Sequence, residues 1–235
     1  DLNLAWDIYL LAILGGLVGS KALFALENWQ EFLQSPISVL FTTAGFSVIG
    51  GYLLAVSMCA VRVRMAGEPF LKIADLASPG MAIGYAIGRL GCITAGDGCY
   101  GLPTKAWVGM TFPNGLVPTL AAKNPHLVKK FMELFPGEGV PKDIAVHPTP
   151  LYESFSMWML LTVLLFYPWN IGPGRRFAMF LAWFGASRFA FEFIRLNRPW
   201  LWGYTSDQWL SVGVFIGALG LLVWNRKDST SFNLS

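Results

Sequence analysis

The sequence predicts an all-α fold, a polytopic transmembrane helix bundle, and three observations carry that prediction. Apolar residues make up 54% of the 235 positions, charged residues only 13%, and the mean hydropathy is +0.51, far from the balance of a soluble domain. Apolar runs near the 20 residues that a helix needs to cross about 30 Å of hydrocarbon can be drawn at 4–26, 37–61, 79–95, 150–168, 177–195 and 208–225, which gives six spans. Finally, runs such as WMLLTVLLFYPW do not alternate between apolar and polar, as the strands of a membrane barrel must, whereas helices satisfy their backbone groups internally.

The first span is entered at once, in DLNLAWDIYLL. A charged leading region and a small-residue cleavage site are both missing, so no cleavable signal peptide is expected. Lys21, near the end of this span, is expected to snorkel to the headgroups. The loop ENWQEFLQSP carries no basic residue, whereas Arg62, Arg64 and Lys72 follow the second span. Asp75 precedes the third span as an expected N-cap or first-turn residue. Residues 96–148 hold no run of spanning length and are expected to form a cap. Pro148 and Pro150 suit the entry to the fourth span. Arg175 and Arg176 precede the fifth, Arg198 lies in the loop 196–207, and Arg226 and Lys227 follow the sixth. Basic short loops mark the cytoplasmic side. The expected topology therefore has both termini in the cytoplasm, the 96–148 segment periplasmic, and one transmembrane domain over residues 1–235.

The net charge of +3 is accounted for by that topology and by attraction to anionic lipid; no basic patch interleaved with aromatics points to nucleic acid. Cys59 reads as a small apolar residue inside a span. Cys92 and Cys99 stand seven apart at the outer end of the third span, and that spacing alone does not establish a disulfide. No His/Cys/carboxylate spacing resembles a zinc or iron site, so no metal is expected.

Charges within the spans are functional candidates, because an ion at the bilayer centre costs about 2.5 to 3.5 kcal/mol on insertion scales. The fifth span ends in GASRFAFEFIRLN, where Arg188, Glu192 and Arg195 are spaced four and three apart and so share a helical stripe. Glu192 is open to two readings, an internal Arg–Glu ion pair that locks the helix to its neighbours or a site role; with one carboxylate between two guanidiniums the stripe keeps a surplus positive charge, which an anion would satisfy. Arg89 lies within the third span, and Asp97 sits between Gly96 and Gly98, where backbone can approach a ligand closely. His147, Tyr152 and Glu153 gather at the opening of the fourth span, Glu153 being open to a second reading as a partner of the helix dipole. Arginine grips phosphate through a planar fork that stays charged. Two arginines within helices therefore suggest a phospholipid headgroup drawn sideways into the bundle.

In order and spacing, GRLGCITAGDGCYGLPT, then HPTPLYE, then RFAFEFIR ahead of TSDQWLS, resemble the prolipoprotein diacylglyceryl transferase family over residues 14–225. The resemblance implies a bacterial inner-membrane enzyme that, with no metal or organic cofactor, moves a diacylglyceryl group from phosphatidylglycerol to the lipobox cysteine of a preprolipoprotein and releases glycerol phosphate. It implies that Arg89 and Arg188 hold the phosphate, with Asp97 where the family usually has glutamate. Glu192, Arg195, His147, Tyr152 and Glu153 match further polar motif positions.

Two departures bear on activity. The family often has a histidine before the Gly-Gly pair of the second span, a natural general base, whereas this chain reads FSVIGG with Ile49 there. The family's additional first helix is absent from this sequence, which accounts for six spans where seven are expected. With Ile49 unable to take a proton, Asp97 and His147 are the alternative bases. The competing reading is a catalytically inactive relative that serves as a lipid-binding or structural subunit of a larger membrane complex.

Overall fold

The computed structural model describes residues 2–42, 45–168, 172–197 and 199–231. Arg198 lies outside the described residues, as do the side chains of Arg226 and Lys227. Among the described residues the chain forms nine helices: α1 (Leu2–Glu27), α2 (Trp29–Gln34), α3 (Pro36–Phe41), α4 (Val48–Met65), α5 (Phe70–Ala95), α6 (Pro125–Leu134), α7 (Thr149–Phe166), α8 (Arg175–Glu192) and α9 (Ser206–Ser231). Strand-like pairing among the described residues is confined to isolated bridges, so the all-α prediction describes the fold.

The expectation of six spans is corrected. Among the described residues three helices are long and apolar enough to cross a membrane: α1, α7 and the Ser206–Val223 part of α9. The predicted span 37–61 is broken, because α3 stops at Phe41 and α4 starts only at Val48. Before Arg62 in its last turn, α4 then offers 14 residues, or about 21 Å at 1.5 Å per residue, short of the hydrocarbon thickness. In α5, Lys72, Asp75 and Arg89 interrupt a helix rich in Gly and Ala. In α8, Arg175, Arg176, Arg188 and Glu192 do the same. Asp75 is held by the start of α8, and Arg89 and Arg188 by Glu153 of α7.

Two compact units divide the chain, residues 1–73 and 74–235. In the first, α1 packs against α4 through small residues, the usual means of bringing apolar helices close. A methyl group on Gly15 would lie 2.6 Å from the Ala55 Cα, and one on Gly51 would lie 2.9 Å from the Gly16 carbonyl oxygen. Asp7 pairs with Arg62 at 2.6 Å. Lys21 Nζ donates to the Thr42 carbonyl at 2.7 Å and lies over the Phe46 ring. Cys59 is half-buried, its Sγ 3.6 Å from the Ile8 carbonyl oxygen.

The second unit contains the site. Ala82 and Ala86 of α5 pack against Met157, Leu160, Leu161 and Leu164 of α7 and Phe180 of α8. The small alanines let α7 come close enough for Ser154 Oγ to donate to the Ala86 carbonyl at 2.9 Å. Gly185 of α8 permits a similar approach to α9, since a Cβ there would stand 2.8 Å from the Ser211 carbonyl oxygen. Asp75 is not an N-cap of its own helix, which starts five residues earlier at Phe70. Its carboxylate instead accepts from the backbone N–H groups of Gly174 at 2.5 Å and Phe177 at 2.8 Å, capping α8 from α5 and meeting the positive end of that helix.

Residues 96–148 fold around a small core of their own, formed by Tyr100, Leu127, Phe131, Ile144 and Val146. Within it, α6 starts on Asn124, whose side chain accepts from the Leu127 N–H at 3.1 Å, with Pro125 at the first helical position. Backbone bonds join this segment to the end of α8: Gly101 bridges Arg195, and the Leu102 N–H donates to Ile194 at 2.8 Å.

Candidate functional site: a guanidinium cluster on Glu153

Glu153, in the first turn and a half of α7, is the centre of the site. Its side chain is 2% exposed and accepts from groups on three sides. Arg89 of α5 approaches Oε2 at 2.7 Å, while Arg188 of α8 and Arg195, just beyond α8, reach Oε1 at 3.0 and 3.4 Å. Tyr85, one helical turn before Arg89, donates its hydroxyl to Oε2 at 2.5 Å and accepts from Arg89 Nη2 at 2.8 Å. A carboxylate buried this deeply must be paired, and here the hydrogen bonds that satisfy it also fix the three guanidiniums relative to one another.

Two further carboxylates complete the network. Arg188 pairs with Asp207 of α9 at 2.7 Å, and Glu192 Oε2 stands 3.8 Å from both Arg188 and Arg195. Glu192 is itself 3% exposed; Oε1 accepts from Asn197 at 2.6 Å and from Thr205 at 2.9 Å, whereas Oε2 has no hydrogen-bond partner among the described residues. The three guanidiniums thus face three carboxylates. That balance corrects the surplus positive charge inferred from the 188–195 stripe, because Glu153 and Asp207 come from helices that the stripe does not contain. An entering anion has to compete with these carboxylates for the guanidinium N–H groups.

Thr205 and Gln208 form a capping box at the start of α9: the Thr205 N–H donates to Gln208 Oε1 at 2.9 Å and the Gln208 N–H to Thr205 Oγ1 at 3.2 Å. The same threonine hydroxyl donates to Glu192, so the helix start and the charge network share an atom.

The structure gathers Arg89, Arg188, Arg195, Glu153 and Glu192. Tyr152 adjoins Glu153 and contacts Phe191 and His147, with its hydroxyl 3.2 Å from His147 Nδ1. The His147 carbonyl accepts from the Gly101 N–H at 2.8 Å, which sets the histidine beside the Gly101–Arg195 bridge. Asp97 stands apart from the cluster: among the described residues the ion pairs of Arg89 run to Glu153, and Asp97 Oδ1 accepts from the Cys99 N–H at 3.0 Å. Burial pushes the Asp97 carboxyl up, but hydrogen bonds from Cys92 and Cys99 outweigh it and hold the group below its ordinary value. Burial, then the hydrogen bond to Asp97, raises the Cys99 thiol. Gly96 and Gly98 both have positive φ, 56° and 85°, the left-handed turn that glycine tolerates. A Cβ on Gly96 would lie 2.7 Å from the Gly115 Cα, so this turn is packed against the cap. Ile49 is exposed, in α4 of the first unit.

Sequence reasoning missed Tyr85, Asn197, Thr205, Asp207 and Gln208. Tyr85 has the period of an apolar face and lies one turn from Arg89; Thr205, Asp207 and Gln208 lie in the TSDQWLS stretch, where threonine and glutamine three apart and an acid in the first turn of α9 were the signals, and Asn197 carried none.

An apolar cleft of about 720 Å³ adjoins the cluster, lined by residues that include Leu90, Tyr152, Phe155, Trp158 and Phe191. Three of these are sequence neighbours of Arg89, Glu153 and Glu192. Charged heads and an apolar trough in adjacent positions suit an amphiphile.

Fold and site together define an all-α membrane protein with a charge network set beside an apolar cleft. The chain belongs to the prolipoprotein diacylglyceryl transferase family, whose model matches residues 1–224. It is 29% identical to the phosphatidylglycerol–prolipoprotein diacylglyceryl transferase 2 of Clostridium perfringens, over 92% of this chain and 76% of that protein. It is 28% identical to the phosphatidylglycerol–prolipoprotein diacylglyceryl transferase of Leptospira interrogans, over 95% and 81%, and 25% identical to that of Dehalococcoides mccartyi, over 96% and 80%. Family membership carries the family's reaction, transfer of a diacylglyceryl group to a lipoprotein precursor.

Proposed function

We propose that the donor is phosphatidylglycerol, that the acceptor is the lipobox cysteine of a preprolipoprotein, and that Arg89 and Arg188 bind the donor phosphate. The observation that carries this reading is the convergence of guanidiniums from α5 and α8 on one buried carboxylate, next to a cleft able to take acyl chains. The acceptor sulfur attacks the glyceryl carbon that bears the phosphate; a C–S bond forms, the C–O bond to phosphorus breaks, and glycerol phosphate departs with the electron pair. Negative charge grows on the phosphoryl oxygens as that bond stretches, so guanidiniums aimed there stabilise the transition state more than the ground state.

Glu153 and Tyr85 hold the arginines in register before substrate arrives, which limits reorganisation during the reaction. Glu192, anchored by Asn197 and Thr205, orients Arg188 and Arg195. The acceptor thiol must lose its proton, because thiolate is the nucleophile. We assign that proton to His147. Its Nδ1 engages the Tyr152 hydroxyl, and in the tautomer that donates from Nδ1, Nε2 is left as the acceptor. Asp97, already held ionised by its hydrogen bonds, is the weaker base and positions the rim turn between Gly96 and Gly98. The enzyme works in the bacterial inner membrane, with residues 96–148 on the periplasmic side.

The test is transfer from labelled phosphatidylglycerol to a lipobox peptide by purified protein. Arg188→Ala should lose at least about 100-fold in turnover, the usual cost of a charge-stabilising donor, and Arg188→Lys should recover little because it lacks the fork. Wild-type turnover in Arg188→Ala removes Arg188 from the site. Tight lipid binding without transfer by the wild type would instead support the inactive, lipid-binding subunit of a membrane complex.

A further inference from the structure

Outside the guanidinium cluster, among the described residues, Cys92, Asp97 and Cys99 have ligand atoms brought together without serving the transfer chemistry. Cys92 in the last turn of α5, Asp97 in the glycine turn and Cys99 just after it present two sulfurs and a carboxylate oxygen within 4.8 Å of one another, all three residues half-buried. Sequence spacing gave no sign of this set, because the seven-residue separation matches no familiar ligand motif. The left-handed Gly96 and Gly98 reverse the chain and return Cys99 toward Cys92.

We propose that Cys92, Asp97 and Cys99 form a binding site for a thiophilic divalent cation of the zinc class, with one coordination position left open. Two soft sulfurs and one carboxylate oxygen are a donor set suited to zinc or cadmium and poorly suited to magnesium or calcium, which favour all-oxygen shells. Metal–ligand bonds of about 2.3 Å to sulfur and 2.0 Å to oxygen put tetrahedral ligand separations near 3.5 to 3.8 Å. Side-chain rotations on the order of 1 Å close the remaining gap to such a geometry.

The surroundings support the set. The Cys99 N–H donates to Asp97 Oδ1 at 3.0 Å, which directs the carboxylate inward, and Thr149 Oγ1 donates to the Cys99 carbonyl at 2.7 Å, which fixes the backbone of that ligand. Outer hydrogen bonds of this kind orient metal ligands. Arg89 Nη1 lies 4.0 Å from Cys92 Sγ. Two thiolates and a carboxylate around a divalent cation carry one net negative charge, and the neighbouring guanidinium offsets it. Both thiols give up their protons on binding, and the cation takes their place. A bound ion would fasten the rim turn to the end of α5, beside Arg89.

The test uses the full chain in detergent, reduced and then freed of reductant, titrated with Cd²⁺ alone and followed by the ultraviolet charge-transfer band of thiolate–cadmium bonds, with Zn²⁺ as competitor. The expected result is one cadmium per chain, displaced by zinc. The band should disappear in Cys92→Ser and in Cys99→Ser and remain in Cys59→Ser, and Asp97→Ala should bind at least about tenfold more weakly. Asp97→Cys, which supplies a third sulfur, should bind at least as tightly as wild type and separates loss of a ligand from loss of fold. Several results would overturn the site: no saturable uptake by the reduced chain, an unchanged affinity in Asp97→Ala, a band that persists in the Cys92→Ser, Cys99→Ser double variant, or loss of the band in Cys59→Ser. Isolation of the chain with Cys92 joined to Cys99, and no cadmium uptake after reduction, would assign the pair to a disulfide instead.

Discussion

Glu153→Gln is the most informative single substitution, because it preserves shape and removes one buried negative charge. In the wild type the Glu153 carboxylate lies within 2.7 to 3.4 Å of three guanidiniums and 2.5 Å of the Tyr85 hydroxyl. After the change, Arg188 keeps Asp207 at 2.7 Å and Arg195 keeps Glu192 at 3.8 Å. Arg89 is left with the Tyr85 hydroxyl as its close polar partner within the network. Removing one partner of a buried ion pair costs about 3 to 5 kcal/mol, since the remaining charge keeps its desolvation penalty. For a chain of this size, that corresponds to a fall of roughly 6 to 20 °C in the unfolding midpoint. Differential scanning fluorimetry in detergent measures it, with Asp207→Asn as the comparison. The Asp207 side chain is 44% exposed, so its pair with Arg188 is screened and its loss should cost about 1 kcal/mol or less. Combining Glu153→Gln with Arg89→Gln should give less destabilisation than the sum of the two single changes, since each removes the charge that strands the other. A Glu153→Gln midpoint within about 2 °C of wild type, or strict additivity with Arg89→Gln, would refute Glu153 as the electrostatic centre.

Loss of the cap across helices in Asp75→Ala should cost about 1 kcal/mol, seen as a lowered unfolding midpoint, with the amides at the start of α8 exchanging faster. In the first unit, Gly15→Leu should separate α1 from α4, because even the Cβ falls 2.6 Å from backbone at Ala55; a loss of about 1 to 3 kcal/mol is expected from such overpacking, read by thermal unfolding. Leu151 also lines the apolar cleft, and filling it with Leu151→Trp should raise KM for a long-chain donor several-fold and change KM for a short-chain analogue little. Equal effects on the two donors would separate the cleft from acyl-chain binding.

The sequence by itself determined that the chain is helical and bound for a membrane, because hydropathy and the lack of alternation are properties of composition and order. It also placed Arg188, Glu192 and Arg195 on one stripe, since i, i+4 and i, i+3 spacing puts side chains on one helical face whatever surrounds the helix. Glu153 was legible as a polar residue at a helix start, but its role was not, as a first-turn carboxylate can equally serve its own helix dipole. Tertiary structure decided that Glu153 is the common partner of Arg89, Arg188 and Arg195, and that Asp75 caps α8. It also decided that, among the described residues, three helices rather than six are long and apolar enough to span. The physical reason is the same throughout. Local periodicity fixes which residues share a face, whereas the counter-charge that lets an arginine or aspartate sit within a helix bundle arrives from helices distant in sequence.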